Sequence, residues 1–575
     1  MISLFIACVH SGYDGPEFVT GNSTSESSDS TSSSSVGSTW ESLRDTSIQR
    51  GVSKSLTGWS TKYPCNVVPG AVVAQDLDGD DDIDLLFPQP TTSPLVYQND
   101  GTGQFEEVDI QRPFTDSSRL TLAMAAVDIS GDGLPELIQS GAGFVALSHN
   151  LGNFEFSEWE LLLYENSFPY TCFGSFTAGD FDGDNDLDLA LAGTDQAQDA
   201  TTYPGAFYPD MWGSYDLLLK NRRSGWEVVE AFSPWPDTPG LSVLQVFTDH
   251  DNDGDLDLFS VSDRPDGVYY PPMAIWDNQG SYYHSTNWED IAPAVGADIL
   301  ISGMGYGAND LNQDGFLDYC MSDVRNSLVC LISDGYGGFV RGANQLGLVV
   351  SPSLLPDVSN DWTTDSPNID QTWSAWSVIM EDLDNDGFVD VAATGGAPPD
   401  QGSVNFTELL TWQPDWLWIG GPDGFTDLDY SHSFFEPSGM YGMASADLDG
   451  DGHRELIKAP ANGVPQILNN PSSENCWLEI ELEGIAKNVE GFGAKVLTHR
   501  ANDWIDHQEM QNLLTIGQSP SRIHVGCGTD TTIPKIEVFW PDGAYTLIED
   551  VSGRQILTIQ HPGEEDRTSD WHSHE

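Results

Sequence analysis

The sequence predicts an all-β chain: a seven-bladed β-propeller with acidic loops, followed by a small β-sandwich-like domain. Three observations predict it. A nine-residue pattern, acidic at positions 1, 3, 5 and 9, returns at Asp76, Asp128, Asp180, Asp249, Asp310, Asp382 and Asp447. A run such as Leu85-Leu86-Phe87 or Val391-Ala392-Ala393 follows each copy and reads as buried strand, not helix. The copies are spaced by roughly 50 to 70 residues, the range of propellers and arrays.

Taken in order, residues 1–8 form a short apolar run ending in Cys8, and residues 9–39 are Ser/Thr/Gly-rich and read as a flexible tether. Residues 40–470 hold the repeats. Around each acidic loop the unit repeats as strand, loop, strand, longer connection, strand, Gly turn, strand, as at 95–105, 329–339 and 417–425. Four antiparallel strands per unit protect their edges by radial closure; an open solenoid is the second reading. The last unit lacks a fourth strand after Leu468, and the chain before Asp76 has room to supply one, so the ring is expected to close by pairing its two ends. Residues 471–562 change pattern, with a strand-like alternation at Cys476-Trp-Leu-Glu-Ile-Glu-Leu482, and 563–575 form an acidic, His-containing tail.

The spacing of the acids has a chemical reason. A hard cation such as Ca²⁺ takes six to eight oxygens at about 2.3–2.6 Å, and carboxylates on alternate residues of a tight loop converge on it, with position 7 giving its backbone carbonyl. The expected ligand sets, for up to seven ions, are Asp76, Asp78, Asp80, Asp82 and Asp84; Asp128, Ser130, Asp132, Leu134 and Glu136; Asp180, Asp182, Asp184, Asp186 and Asp188; Asp249, Asp251, Asp253, Asp255 and Asp257; Asp310, Asn312, Asp314, Phe316 and Asp318; Asp382, Asp384, Asp386, Phe388 and Asp390; and Asp447, Asp449, Asp451, His453 and Glu455. An EF-hand is excluded, because its bidentate acid at position 12 is replaced by Phe87, Gln139, Leu191, Ser260, Met321, Ala393 and Lys458. Ser130 and Asn312 replace the position-3 carboxylate and predict weaker loops. Solvated Asp/Gly turns are the bland alternative, but ordinary turn chemistry requires no fixed 1-3-5-9 register.

These units resemble FG-GAP/VCBS repeats, found in integrin α-chain propellers and many secreted bacterial proteins. The segment after residue 470 resembles the ASPIC/UnbV domain of the cartilage acidic protein family. That resemblance rests on Trp477-Leu478, the Gly-Ala-Lys-Val step at 493–496, the His-x-Gly-x-Gly at 524–528 and the Trp-Pro-Asp-Gly turn at 540–543. It departs at Lys487-Asn-Val-Glu490, where the family carries an Asn/Arg-rich approach. The resemblance implies an architecture and no settled activity.

With 21 basic and 90 acidic residues the formal charge is −69, and seven divalent ions would still leave −55. Such self-repulsion couples folding to calcium and argues against nucleic acid or anionic lipid as partners. No apolar run is long enough to span a membrane. Phe5-Ile-Ala-Cys8 resembles the end of a bacterial lipoprotein signal, with Cys8 as the lipidated residue; the run is short, lacks a preceding basic residue, and has Phe5 where Leu is usual. An exported, cell-surface or secreted protein is the expectation. Of the remaining cysteines, Cys320 and Cys330 flank a predicted hairpin turn near Arg325 and suit a cross-strand pair, Cys476 and Cys527 suit a pair in the last domain, and Cys65 and Cys172 read as buried thiols. No Cys/His spacing fits zinc.

Motifs for a nucleophile elbow, a zincin, a P-loop or a Ser-x-x-Lys enzyme are missing. The loops hold 30 carboxylates, so a glycosidase-like acid pair cannot be singled out. Long insertions at 195–213, 263–272 and 397–415 fall between second and third strands, and 351–370 falls between blades, all at the end opposite the acidic loops. They carry Tyr203, Phe207, Tyr208, Trp212, Tyr269, Tyr270, Trp362, Trp412 and Trp416, aromatics that suit glycan stacking or a protein interface; packing within their own loops is the alternative. The functional expectation is a non-catalytic, calcium-binding protein for adhesion or for glycan or protein binding. The alternative is a carbohydrate-active lyase or hydrolase at the mouth of the channel.

Overall fold

A computed structural model describes residues 43–57, 70–110, 120–164, 171–196, 215–232, 242–262, 272–280, 288–301, 303–323, 327–348, 375–396, 415–427, 439–470, 473–501, 504–512 and 516–563. Among them, helix is confined to two single turns, Ala292–Val295 and Ala343–Leu346. Everything else that is regular is strand.

Among the described residues, seven sheets built on four antiparallel strands run along the chain, numbered here as sheets 1 to 7. Sheet 3 is typical: Thr171–Gly179, Asp188–Gln196, Asp216–Arg222 and Gly225–Phe232 lie side by side in chain order. The first strands of the seven sheets are Val72–Gln75, Thr121–Val127, Thr171–Gly179, Ser242–Thr248, Gly303–Asn309, Ala375–Glu381 and Met440–Ala446. Each packs against the first strand of the next sheet, and the seventh returns to the first. The result is a propeller-like ring whose inner strands are enclosed on both sides, which is why Thr121–Val127 and Ser242–Thr248 are buried at every position.

Inner strands are crowded, and their sequence shows it. A Cβ on Gly305 would stand 1.9 Å from the Trp376 carbonyl oxygen of the next sheet, so the inner strand of sheet 5 tolerates only glycine there. Further out, strands carry large rings, as where Trp416 and Trp418 stack 6.0 Å apart within sheet 6.

Sheet 7 takes its fourth strand from the other end of the chain. Arg44–Asp45 pairs antiparallel with Gln466–Asn469. Arg50 then ties the join: its guanidinium donates to Asp449 at 3.0 Å, Glu455 at 2.9 Å and Asn469 at 2.6 Å, and reaches Gly103 O of sheet 1 at 3.4 Å.

After the ring come two further sheets. One orders Ile523–Gly528, Cys476–Glu483 and Gln555–Gln560; the other orders Ile505–Glu509, Lys495–His499, Thr532–Phe539 and Tyr545–Ser552. Their apolar faces share a core around Leu478, Ile480, Val496, Val525, Ile536, Val538 and Trp540. The disulfide Cys476–Cys527 ties two strands of the first sheet.

In sheet 5 Cys320 and Cys330 face each other across the ladder and are bonded. Cys172, expected as a buried thiol, is disulfide-bonded. Cys8 and Cys65 lie outside the described residues. No helix among the described residues is long and apolar enough to cross a membrane.

Candidate metal loops and the domain that covers them

Each acidic nonapeptide joins the first strand of its sheet to the second, and all seven adopt one backbone path. Positions 4 and 6 are left-handed throughout: Gly79 and Asp81, Gly131 and Gly133, Gly183 and Asn185, Asn252 and Gly254, Gln313 and Gly315, Asn385 and Gly387, Gly450 and Gly452. This explains the Gly and Asn that alternate with the acids, since few other residues accept that conformation without strain. The path wraps amide N–H groups around the position-1 carboxylate. Asp128 accepts from Gly131, Asp132 and Gly133, and Asp447 from Gly450, Asp451 and Gly452.

Position 9 has a second, structural task. Its carboxylate accepts the position-2 amide and an amide of the third strand, as when Asp84 accepts from Leu77 at 3.0 Å and Asn99 at 2.8 Å. Asp257, Asp318 and Asp390 repeat the pattern. The third-strand Asn then reaches the neighbouring sheet: Asn150 donates to Leu77 O, Asn278 to Phe181 O, and Asn99 to Leu448 O across the ring closure. Loop and ring are therefore built from the same residues.

Three of the expected carboxylates come together in each of four loops. In Asp76/Asp78/Asp84, Asp180/Asp182/Asp188, Asp249/Asp251/Asp253 and Asp382/Asp384/Asp390, one oxygen from each carboxylate lies within 4.8 Å of the others. Burial raises these groups: Asp84 and Asp318 to about 8, Asp180 to about 7, and Asp78, pushed further by Asp80, to about 6. Packed anions of this kind need a proton or a cation. Asp78 Oδ1, Asp182 Oδ1, Asp188 Oδ2 and Asp449 Oδ1 are buried without a hydrogen-bond partner, so the donor set fits a hard, oxygen-seeking ion.

Some expected ligands have other partners. His453 is buried, with Nδ1 against Asn385 Nδ2 at 3.0 Å and Nε2 accepting from Ser473 N at 3.1 Å, so its ring ties sheets together and only its carbonyl is left for an ion. In loop 4 His250 Nδ1 meets Asp257. Trp416, expected on an exposed rim, is fully buried. Its strand starts earlier than the sequence indicated, because Asp415 is already anchored by Gly395 N at 2.8 Å and Lys458 Nζ at 2.6 Å. Tyr208, Trp212, Tyr269, Tyr270, Trp362 and Trp412 lie outside the described residues.

What sequence reasoning missed is the cover on the loops. Lys487 binds Asp186 at 3.1 Å, and its amide donates to Asn185 O; Glu490 accepts the amide of Asp128; Lys495 Nζ meets Asp249 and Asn252. His507 Nδ1 stands 3.1 Å from Gly315 O, Trp504 packs edge-on to Phe388, and Gly528 N donates to Asn385 O. Arg454, at position 8 of loop 7, is buried and pairs with Glu479 at 2.9 Å and Glu381 at 3.1 Å. Burial alone would raise Glu479, but Arg454, with His524 and Arg522, holds it well below the usual carboxylate range. A signal existed: Lys487 and Glu490 are the residues where the segment departs from its family.

From this cover a segment enters the ring. Gly517–Gln518 pairs parallel with the inner strand of sheet 1. The Gln518 amide holds both N and O of Ala126 in sheet 2, Thr177 in sheet 3 donates to Asn512 O, Thr248 in sheet 4 to Glu509, and Ser445 N in sheet 7 to Ser519 Oγ. Residues of the C-terminal part thus contact the inner strands of sheets 1, 2, 3, 4 and 7 near the acidic-loop end of the ring.

Residues 76–139 and 128–191 match the model for the FG-GAP-like repeat, and residues 484–566 match that for ASPIC and UnbV. The chain carries FG-GAP-like repeats and a C-terminal ASPIC/UnbV domain. The ASPIC/UnbV match begins just after the strand Cys476–Glu483, which lies in the same sheet as matched strands. No curated protein sequence matches. Among solved structures, the chain is similar to an Agrocybe aegerita lectin whose structure describes recognition of non-reducing terminal N-acetylglucosamine, at 14% identity, TM-score 0.40, covering 70% of this chain and 86% of that one. It is also similar to Saccharomyces cerevisiae Sqt1, at 9% identity, TM-score 0.37, covering 72% and 100%, and to BBS1N in complex with ARL6DN, at 9% identity, TM-score 0.40, covering 73% and 99%.

Proposed function

We propose that this chain is a non-catalytic, calcium-stabilised protein that binds an extracellular glycan or protein through the end of the ring opposite its acidic loops. The observation that carries the reading is the occupied loop end, where the ASPIC/UnbV domain covers the loops and Asn512, Gly517 and Gln518 contact the inner strands. Second strands begin at the loops, so the connections from Gln196 to Asp216, Ser262 to Ala274 and Gly395 to Trp416 leave from the other end. These connections are long and their sequences rich in aromatic residues, a composition that suits an interaction site. Calcium would sit in the loops and hold strands one and two of each sheet together; it takes no part in ligand chemistry. The disulfides at Cys320–Cys330 and Cys476–Cys527 support an oxidising, exported setting, and Cys8 is the candidate lipid anchor.

The test is to incubate the protein, with calcium, against neutral and acidic polysaccharides and to score retained protein and released oligosaccharide together. Retention without product is the expected result. Product release would overturn the non-catalytic reading, and no retention on any glycan would direct the search to protein partners.

A further inference from the structure

One register position meets the acidic loop in sheets 1 to 3, through Gln98, His149 and Lys220. It is the third-strand residue that immediately follows the partner of loop position 10: Tyr97 pairs with Leu85, Leu219 with Leu189, Trp276 with Leu258, and so on around the ring. Its occupants, from sheet 1 to sheet 7, are Gln98, His149, Lys220, Asp277, Ile332, Ile419 and Asn469. In sheet 1 the side chain visibly reaches the loop, where Gln98 Nε2 donates to Asp78 Oδ2 at 2.7 Å. In sheets 1 to 3 the position therefore adds a residue to the loop that the nonapeptide does not contain.

Loop 3 carries an acid at every odd position, Asp180, Asp182, Asp184, Asp186 and Asp188, as loops 1 and 4 also do. Asp188 is fully buried, with Oδ2 unpartnered and converging on Asp180 and Asp182. Yet Lys220 Nζ lies against Asp182 and stands 2.9 Å from Asp184 Oδ2, with its side chain only 10% exposed. Those are positions 3 and 5, the oxygens a bound ion would use. Lys220 also sits 5.9 Å from the ring centroid of Phe181, at position 2. Loop 4 holds the opposite charge at this register, Asp277, next to Trp276, which pairs with Leu258.

We propose that a charged residue at this register tunes its loop, and that Lys220 serves as a tethered cation in loop 3. Loop 3 is then the weakest of the three fully acidic loops for a divalent ion, although its odd-position acids match those of loops 1 and 4, while Asp277 strengthens loop 4. The physical basis is charge count. Affinity of such sites follows the number of carboxylates facing the ion, and an ammonium among them cancels one and must be displaced before an ion enters. The inference rests on the calcium reading of the loops.

The experiment uses the full chain, stripped with chelator and titrated with Ca²⁺ by calorimetry, with bound ions counted by native mass spectrometry. Lys220→Gln is expected to strengthen one weak site by on the order of tenfold, and adding Asp184→Asn should erase that gain and so assign it to loop 3. Lys220→Arg, which keeps the charge, should titrate like the parent. Asp277→Asn should weaken a different site by a similar factor, and it tests the ranking even if a Lys220 variant misfolds. If the parent binds calcium and both Lys220→Gln and Asp277→Asn leave its titration unchanged, the proposal is overturned while the calcium reading stands. If neither parent nor variants bind calcium, the calcium reading itself falls and takes the proposal with it.

Discussion

Position 1 of each loop is the residue on which everything local converges, because its carboxylate gathers the amides that shape the turn. In loop 3 Asp180 accepts from Asp184 at 3.1 Å and Asn185 at 2.7 Å. Replacing Asp180 and Asp184 with Ala removes both the amide cradle and two proposed ion ligands. The expected outcome is a melting temperature lowered in calcium by several degrees, with a smaller loss in chelator. An identical melting curve in both conditions would contradict the reading. Away from the loops, Asp216 gives a pH prediction. Burial raises its carboxyl to about 7, against hydrogen bonds from Gly193 N and Ser242 Oγ that lower it. An unfolded Asp titrates near 3.9, so between about pH 4 and 7 the folded state binds the extra proton. The stability this confers is complete below about pH 4 and is lost as pH rises through about 7. Asp216→Asn should therefore flatten the fall in melting temperature between pH 5 and 8; an unchanged slope would assign that pH dependence to other groups.

At the scale of elements, legibility depended on whether a feature was local. The acidic nonapeptide, the strand after it and the Gly turn are short-range patterns, and the structure places each where the sequence did. Cys320–Cys330 was also legible, because ten residues about one hairpin fix their register. Trp416 was misread because strand starts are set by tertiary anchors such as Asp415–Lys458, which no window around Trp416 contains. The ASPIC/UnbV cover was invisible for the same reason: Lys487 and Asp186 are 301 residues apart. Ring closure stands between these cases, since the missing fourth strand could be counted but its anchor, Arg50, could not be named. Arg50→Ala tests that anchor. It would leave the buried Glu455 without its guanidinium and cut the tie to Asn469 and Gly103, and removing one partner of a buried pair costs about 3–5 kcal/mol. A clear loss of thermal stability is expected, with faster amide exchange in Gln466–Asn469. Unchanged exchange there would mean that the strand pairing at Arg44–Asp45 closes the ring unaided.

For the whole molecule, charge is the dominant quantity. A formal charge of −69 opposes any compact state through self-repulsion, and much of it is concentrated at the loop end of the ring. The ASPIC/UnbV domain answers part of it with Lys487, Lys495 and the amides that meet Asn185 and Asn385. Bound calcium would answer another part. These two contributions separate by their response to salt. Added sodium chloride shortens the Debye length from about 30 Å at 0.01 M to about 10 Å at 0.1 M, which relieves repulsion between exposed carboxylates but substitutes poorly for an ion chelated at contact distance. In chelator the melting temperature should therefore climb steeply over that range; in saturating calcium the same salt should move it little. Lys495→Gln should steepen the climb in chelator, because it removes a buried counter-charge from Asp249. Equal slopes with and without calcium would show that the loops bind no ion that matters to folding, and the fold would then owe its tolerance of −69 to the docked domain alone.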